Sequence, residues 1–153
     1  MAMIDGVVIK DLPIIADERG HLMEILRSDD DVFEKFGQAQ LMTTFPGAVE
    51  AWHLHKGQDD NIACVRGMVK LVIYDDREGS STRAELMEVF LGEHRPVLVH
   101  VPKGLHHGWK CISEHEAYVI DFATELLDHK RPDNYRLQAD TDAIPYDWAI
   151  KMG

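Results

Sequence analysis

Short apolar runs in which every second residue is hydrophobic cover most of the chain between residues 7 and 122, and turn-forming residues end each run. This pattern is typical of β-strands, because successive side chains of a strand point to opposite faces. It predicts ten strands, at residues 7–9, 21–26, 38–45, 48–55, 62–65, 69–74, 86–91, 97–101, 108–112 and 117–122. One helical turn is expected at residues 30–36, where aspartates supply N-terminal caps. The chain is therefore predicted to be all-β, either a sandwich or a barrel.

Two of the predicted strands carry histidines in a recognisable spacing. His53 and His55 are two residues apart and therefore point to the same face of their strand, and Asp60 and Gly67 follow them. The second segment, residues 102–109, reads Pro-x-Gly-x-x-His and contains His107. Together the two segments resemble the paired motifs of the cupins. The predicted fold is therefore a double-stranded β-helix, the cupin or jelly-roll barrel, in which these histidines converge inside.

Composition and charge narrow the class of protein. The 153 residues, 45% of them hydrophobic, predict one domain with one core. We expect residues 1–47 to form N-terminal strands and a dimer arm, residues 48–123 the barrel core, and residues 124–153 a wrapping tail. A net charge of −11 argues against nucleic acid or an anionic membrane as a partner. No segment resembles a signal peptide or a membrane span, so a cytoplasmic protein is expected, with Cys64 and Cys111 as buried free thiols.

Seven short segments resemble, in the same order, landmarks of the dTDP-4-dehydrorhamnose 3,5-epimerase family. They are Asp17-Glu-Arg-Gly20 with Glu24, Phe36-Gly-Gln38, Trp52-His-Leu-His55, Val65-Arg-Gly67, Asp75-Asp-Arg77 with Ser81-Thr82, Pro102-Lys-Gly-Leu-His-His107-Gly-Trp109, and Asp140 to Trp148. The resemblance implies an epimerase or isomerase of a nucleotide-linked 4-keto-6-deoxy sugar. It also implies a homodimer and a reaction that needs no cofactor.

The resemblance assigns roles to individual residues. His55 matches the family's base, which removes the acidic proton beside the keto group, and a histidine suits this step because its pKa lies near neutral pH. Asp140 is the closest match to the aspartate that orients this base, and Asp142 is the alternative match. His107 matches a second active-site histidine, and we expect His53 to assist in proton relay. The expected substrate-binding residues are Arg19, Glu24, Gln38, Trp52 and Lys56, the first three at the diphosphate and in part across the dimer interface.

Three departures from the family pattern bear on the chemistry. Trp52 stands where the family has an arginine, and Asp60 stands where it has the lysine that stabilises the oxyanion. A carboxylate cannot perform that task by charge, because it repels an enolate. The tyrosine that serves the family as general acid has no counterpart in residues 122–124. Tyr135 or Tyr146 is the expected substitute.

The same departures support two alternative interpretations. His53, His55, Asp60 and His107 together form a three-histidine, one-carboxylate set that suits Mn, Fe, Ni or Zn, which would make the protein a metal-dependent cupin enzyme. The absence of the lysine and the tyrosine also fits a non-catalytic cupin that only binds a sugar nucleotide. The metal-dependent enzyme would lose activity on chelation, and the non-catalytic protein would bind ligand without exchanging protons.

Overall fold

The computed structural model describes residues 3–153, which form eleven β-strands and, within that range, no helix. Their bounds are β1 (Val8–Asp11), β2 (Ile14–Asp17), β3 (Gly20–Met23), β4 (Gln38–Thr44), β5 (Val49–His53), β6 (Asp60–Arg66), β7 (Met68–Tyr74), β8 (Leu86–Gly92), β9 (Val97–Val101), β10 (His106–Cys111) and β11 (Ala117–Ala123). All ten predicted strands are present. Only β2 was not predicted, because Pro13 marks that segment as a connector. Nothing in the described range forms a helix of the length and hydropathy needed to cross a membrane.

Two antiparallel sheets and a hairpin make up the fold. One sheet has the strand order β1-β9-β6-β11-β4, and the other has the order β5-β10-β7-β8. Strands β2 and β3 form a separate two-stranded hairpin. This arrangement confirms the predicted all-β, jelly-roll architecture, in which inward residues of both sheets share one core.

The main core lies between the two sheets. Ile62 and Val119 from the first sheet pack against Leu71 and Val89 from the second, and each is almost fully buried. Cys64 belongs to the same cluster, and both cysteines are buried and free, as predicted. Because side chains alternate along each strand, one set points into this core and the other set points to the opposite face of its sheet.

A second apolar cluster packs the tail against the four-stranded sheet. Trp52 of β5 is fully buried there, with Trp148 and Tyr146 against its ring. The tail also bonds to the backbone of β5: the Trp52 N–H donates to the Leu137 carbonyl (3.0 Å), and the Tyr135 N–H donates to the Leu54 carbonyl (2.9 Å). Because β5 is the outer strand of its sheet, the tail covers an edge that would otherwise expose unpaired backbone groups.

The predicted helical turn at residues 30–36 is wrong. The segment contains hydrogen-bonded turns instead, in which Asp30 donates to the Arg27 carbonyl (3.1 Å) and Phe33 donates to the Asp30 carbonyl (3.0 Å). The Asp30 carboxylate accepts the Arg27 backbone N–H (2.7 Å) and forms an ion pair with Lys10. The side chain that was expected to cap a helix therefore closes the preceding turn and ties it to β1.

Candidate active site

A cavity of about 150 Å³ is lined by residues of both sheets and the tail. The five-stranded sheet contributes side chains from β4 and β11, and the four-stranded sheet contributes side chains from β5 and β10. Its polar and ionisable lining comprises Gln38, Gln40, His53, His55, Gln58, His107, Asp121, Asp133 and Asn134. This cavity brings together the three histidines that the sequence motifs indicated.

Strand pairing explains why the histidines meet. His107 of β10 lies opposite His53 of β5 in the antiparallel register, and their ring centroids are 6.1 Å apart. His55 follows the end of β5, and its ring centroid is 5.5 Å from that of His107. Because side chains alternate along β5, Trp52 points away from this cavity into the second apolar cluster. Trp52 therefore does not line the cavity, and its expected role in substrate binding stays a prediction.

Asp60 lies at the centre of this group and is almost fully buried. Its Oδ2 atom is 3.3 Å from His55 Nε2 and 3.5 Å from His107 Nε2. Its other oxygen, Oδ1, accepts a hydrogen bond from Gln58 Nε2 (2.8 Å). The carboxyl group of Asp60 thus links the two imidazoles through the same nitrogen of each ring.

Backbone carbonyls set the orientation of both rings. His55 Nδ1 lies 2.5 Å from the Asp133 carbonyl oxygen, and His107 Nδ1 lies 3.1 Å from the Leu105 carbonyl oxygen. A carbonyl oxygen only accepts, so each Nδ1 carries the proton and donates it. In the neutral ring Nε2 is then the basic atom, which is the tautomer that a general base requires.

The partner of His55 is Asp133 of the tail, a residue that the sequence did not predict to be in the site. Besides its carbonyl contact, Asp133 accepts the backbone N–H groups of Lys56 (2.8 Å) and Gly57 (2.7 Å) through its carboxylate. It therefore fixes both the ring and the loop that follows it. Asp140, the expected partner, is exposed and is not hydrogen-bonded to His55 in the described chain. No motif marks Asp133, because its contact to the ring uses a backbone atom that every residue has.

The three donors of His55, Asp60 and His107 lie within 4.8 Å of one another, which is close enough to hold a divalent cation. His53 is not part of this set. Its Nε2 atom pairs with Glu50 (3.0 Å), its Nδ1 atom lies 3.4 Å from the Asn134 side chain, and its ring stacks on Trp109. The four-ligand metal set that the sequence suggested is therefore not assembled in the structure.

The other expected substrate-binding residues lie outside the cavity, except Gln38. Gln38 lines the cavity and accepts the Leu127 N–H (2.9 Å). Lys56 is exposed and sits over the Tyr135 ring, 4.1 Å from its centroid. Arg19 and Glu24 are exposed and pair with Asp17 and Arg27. The expectation that they contact a diphosphate across a dimer interface stays a prediction.

No phenol lines the cavity in the described part of the chain. The Tyr146 hydroxyl donates to Glu88 (2.6 Å), and its ring packs on Trp52 in the second apolar cluster. Tyr146, an expected replacement for the general acid, therefore does not line the cavity. Tyr135 is half exposed and carries Lys56 on its ring rather than facing the histidines. Neither expected substitute for the tyrosine is in position.

The cavity is lined by a second buried carboxyl group, that of Asp121, and not by either of the expected tyrosines. Its Oδ1 atom has no hydrogen-bond partner in the described chain. Burial raises the pKa of Asp121 well above its usual range, and the neighbouring Asp60 raises it further. Asp121 lies on the buried face of β11, which it shares with Val119 and Ala123. An acid at one position of an otherwise apolar face is the sequence signal that could have identified it.

Burial also lowers the pKa of His107, to about 4. An unfolded histidine has a pKa near 6.5, so between these two values the unfolded chain binds the proton more tightly than the folded chain does. The free energy of unfolding should therefore fall as the pH drops from 6.5 to 4, by up to about 3 kcal/mol for this one group. Urea titrations at several pH values measure the slope.

The matched control for this prediction is His107→Gln, which keeps a polar side chain but does not titrate. We expect the loss of stability on acidification to be smaller in His107→Gln than in the unsubstituted protein. Equal slopes for the two proteins would show that His107 does not remain neutral in the folded state.

Comparison with known proteins gives a consistent assignment. A family model for dTDP-4-dehydrorhamnose 3,5-epimerase matches residues 1–152. A probable low-salt glycan biosynthesis epimerase, Agl13 of Haloferax volcanii, is 41% identical over 99% of this chain and 99% of its own length. The spore coat polysaccharide biosynthesis protein SpsL of Bacillus subtilis is 37% identical over 95% of this chain and 97% of its own length. The crystal structure of a dTDP sugar isomerase from Desulfovibrio desulfuricans superimposes with a TM-score of 0.90 at 27% identity, covering 95% of this chain and 92% of that one.

Proposed function

The chain belongs to the dTDP-4-dehydrorhamnose 3,5-epimerase family, and we propose that it is an epimerase or isomerase of a nucleotide-linked 4-keto-6-deoxy sugar. Its relatives act in glycan and spore coat polysaccharide synthesis, which supports a role in deoxysugar or cell-surface polysaccharide synthesis. The observation that carries the proposal is the fixed tautomer of His55 at the cavity wall. In this tautomer Nε2 is the basic atom of the neutral ring, and it lies at the cavity wall 3.3 Å from Asp60 Oδ2.

The proposed reaction begins with removal of the proton α to the carbonyl by His55 Nε2. The electron pair of the broken C–H bond forms a C=C bond, and the carbonyl π pair moves to oxygen. The resulting imidazolium keeps its Nδ1–H bond to the Asp133 carbonyl and is stabilised by Asp60, 3.3 Å from Nε2. Inversion of the centre requires delivery of a proton from solvent water to the other face of the same carbon, after which His55 releases the abstracted proton to solvent. Protonation of the former carbonyl carbon and its oxygen gives an isomer instead, provided that the hydroxyl on the adjacent carbon loses its proton and becomes the new carbonyl.

His107 supports this step as a relay. Its Nε2 atom faces the same Asp60 oxygen as His55 Nε2, so a proton can pass between the two rings through one carboxyl group. His53 is held by Glu50 and stacks on Trp109, which suits a wall of the sugar site. Gln38 completes the polar lining on the opposite sheet.

We further propose a cytoplasmic homodimer that works without a cofactor. Hairpin β2–β3 projects apolar side chains into solvent: Ile15 is 68% exposed and Leu22 is 57% exposed. Such exposed apolar surface is typical of an interface between subunits. Arg19 lies at the turn of this hairpin, so dimerisation would carry its guanidinium toward the partner subunit, where it could bind a diphosphate.

Solvent exchange tests the proposed function. The protein is incubated in D₂O with a dTDP-linked 4-keto-6-deoxy hexose, with and without a chelator, and NMR follows deuterium at the carbons beside the carbonyl. We expect incorporation that is insensitive to chelation. Incorporation that the chelator abolishes would indicate the metal-dependent alternative, and binding of dTDP without incorporation would indicate a non-catalytic cupin.

A further inference from the structure

The outer face of the four-stranded sheet carries a buried lysine. Side chains alternate along β7, so Leu71 points into the main core and Lys70 points to the opposite face of the sheet. Lys70 is only 5% exposed. Lysine is almost never buried to this extent unless its charge is paired. The ammonium group of Lys70 should therefore have an anionic partner or a hydrogen-bond acceptor close by.

Residues 3–153 supply neither. No acceptor in that range is hydrogen-bonded to Lys70 Nζ, and no acid there forms an ion pair with it. Nζ lies instead 5.1 Å from the centroid of the Tyr146 ring and 5.7 Å from that of Trp148. Glu88, an acid of the neighbouring strand β8, accepts the Tyr146 hydroxyl (2.6 Å) and lies 4.0 Å from Lys151 Nζ. The rings attract the cation, but they leave its N–H groups without an acceptor.

A second lysine lies directly beside the first. In the antiparallel pairing of β10 with β7, Lys110 is opposite Lys70, and like charges at such opposed positions destabilise a sheet. Lys110 Nζ donates to the Trp148 carbonyl (2.9 Å), a neutral acceptor that leaves the positive charge in place. Burial lowers the pKa of Lys70, and the charges of Lys110 and Lys151 lower it further. This face therefore concentrates positive charge in a chain whose net charge is −11.

Lys70 lines a cavity of about 400 Å³, here called the outer cavity. Its lining comprises Lys70, Glu88, Phe90, Ile112, Ile150 and Lys151. The active-site cavity lies between the two sheets, whereas the outer cavity lies on the opposite face of the four-stranded sheet, beside the end of the tail. Its volume is within the range of sites for small molecules, about 300–1,000 Å³. Apolar walls beside a buried cation suit a ligand that has an anionic head and an apolar chain.

We propose that the outer cavity binds a small organic anion with an apolar chain, either a carboxylate or a phosphate monoester. The anionic head accepts hydrogen bonds from Lys70 Nζ, and the chain packs against Phe90, Ile112 and Ile150. Such a ligand supplies the acceptor that the buried ammonium group lacks, and it offsets the repulsion between Lys70 and Lys110. The inference goes beyond the proposed function, since none of these residues lines the active-site cavity.

Calorimetric titration with four probes tests this inference. Hexanoate and hexyl phosphate carry both features of the ligand, hexanamide has the chain without the charge, and inorganic phosphate has the charge without the chain. We expect at least one of the two alkyl anions to bind about 10- to 100-fold more tightly than hexanamide, as for one charge-assisted hydrogen bond. Inorganic phosphate should bind more weakly than that anion. The ratio of the two alkyl anions distinguishes a carboxylate site from a phosphate site.

Lys70→Met removes the charge but keeps a long side chain. It should weaken binding of the preferred alkyl anion by about 10- to 100-fold and leave binding of hexanamide unchanged. The variant should also be at least as stable as the unsubstituted protein in urea, because an unpaired buried charge is costly. Lys103→Met, at an exposed lysine that lines neither cavity, is the matched control and should bind like the unsubstituted protein.

An NMR measurement on the unsubstituted protein locates the ligand without relying on a variant that folds. Nuclear Overhauser effects should connect the methylene groups of the bound anion to the ring of Phe90. Effects only to residues of the active-site cavity would place the anion there and overturn the inference.

Two results of the titrations would also overturn it. One is equal affinity for hexanamide and both alkyl anions, and the other is unchanged binding of the anion by Lys70→Met. The proposed function is tested separately, because absence of deuterium exchange into the 4-keto sugar would refute that function and leave the anion site standing.

Discussion

Replacement of His55 by Asn is expected to lower deuterium incorporation from solvent by about 10³- to 10⁴-fold, toward the upper end for loss of a general base. Asparagine keeps a side-chain N–H group that can donate to the Asp133 carbonyl, but it has no basic nitrogen in place of Nε2. The chemistry is thus removed while the local hydrogen bonding is largely preserved. Solvent exchange into a dTDP-linked 4-keto sugar, followed by NMR, measures the effect.

Two controls make this experiment specific. His94→Asn changes an exposed histidine outside the cavity and should leave exchange unchanged. Binding of dTDP to His55→Asn should persist, because the phosphate contacts are expected on other residues. If His55→Asn exchanged at more than about a tenth of the normal rate, another group would have to be the base, and Nε2 of His107 would be the nearest candidate.

Replacement of Trp52 by Ala should lower the free energy of unfolding by about 3–5 kcal/mol, the range measured for large aromatic residues in cores. Trp52 is fully buried, and its ring centroid lies 5.0 Å from that of Trp148 and 6.1 Å from that of Tyr146. Its indole N–H also donates to the Ala139 carbonyl (3.3 Å). The substitution therefore removes apolar contacts and one hydrogen bond that hold the tail, and urea denaturation measures the loss.

A conservative variant separates packing from catalysis. Trp52→Phe keeps an aromatic ring in the cluster and should be destabilised less than Trp52→Ala. Because Trp52 does not reach the cavity, both variants should retain dTDP binding at temperatures where they remain folded. A large loss of affinity in folded Trp52→Phe would restore the substrate-binding role that the family position suggested.

Local pattern was enough to predict most of the fold. Alternation predicted β9 to the residue and the other strands to within a few residues, because each alternating run buries one face in the core between the sheets. Strand β2 was missed, since its four residues are all exposed and Pro13 precedes it. The helical turn at residues 30–36 was wrong because pairing of Asp30 with Lys10 is a tertiary contact that capping preferences do not include.

The candidate site could be predicted only where the spacing of residues along a single strand determines which side chains share a face. The period of two correctly placed His53 and His55 on one face, and the same period, applied to position 52, would have excluded Trp52 from the cavity. The Asp133 contact could not be predicted, because it joins a backbone carbonyl to a ring 78 residues away in the chain. The position of Asp121 next to Asp60 follows from the pairing register of β6 and β11, which a single sequence does not give.

The contact between Asp133 and His55 makes orientation of the ring depend on a segment outside the two sheets. Strands β1 to β11 end at Ala123, so every strand of the barrel precedes Asp133 in the chain. While the tail is undocked, His55 lacks the carbonyl that selects its tautomer, and the outer edge of β5 is uncovered. Formation of the two sheets alone therefore leaves the base unoriented, and docking of the tail completes the site.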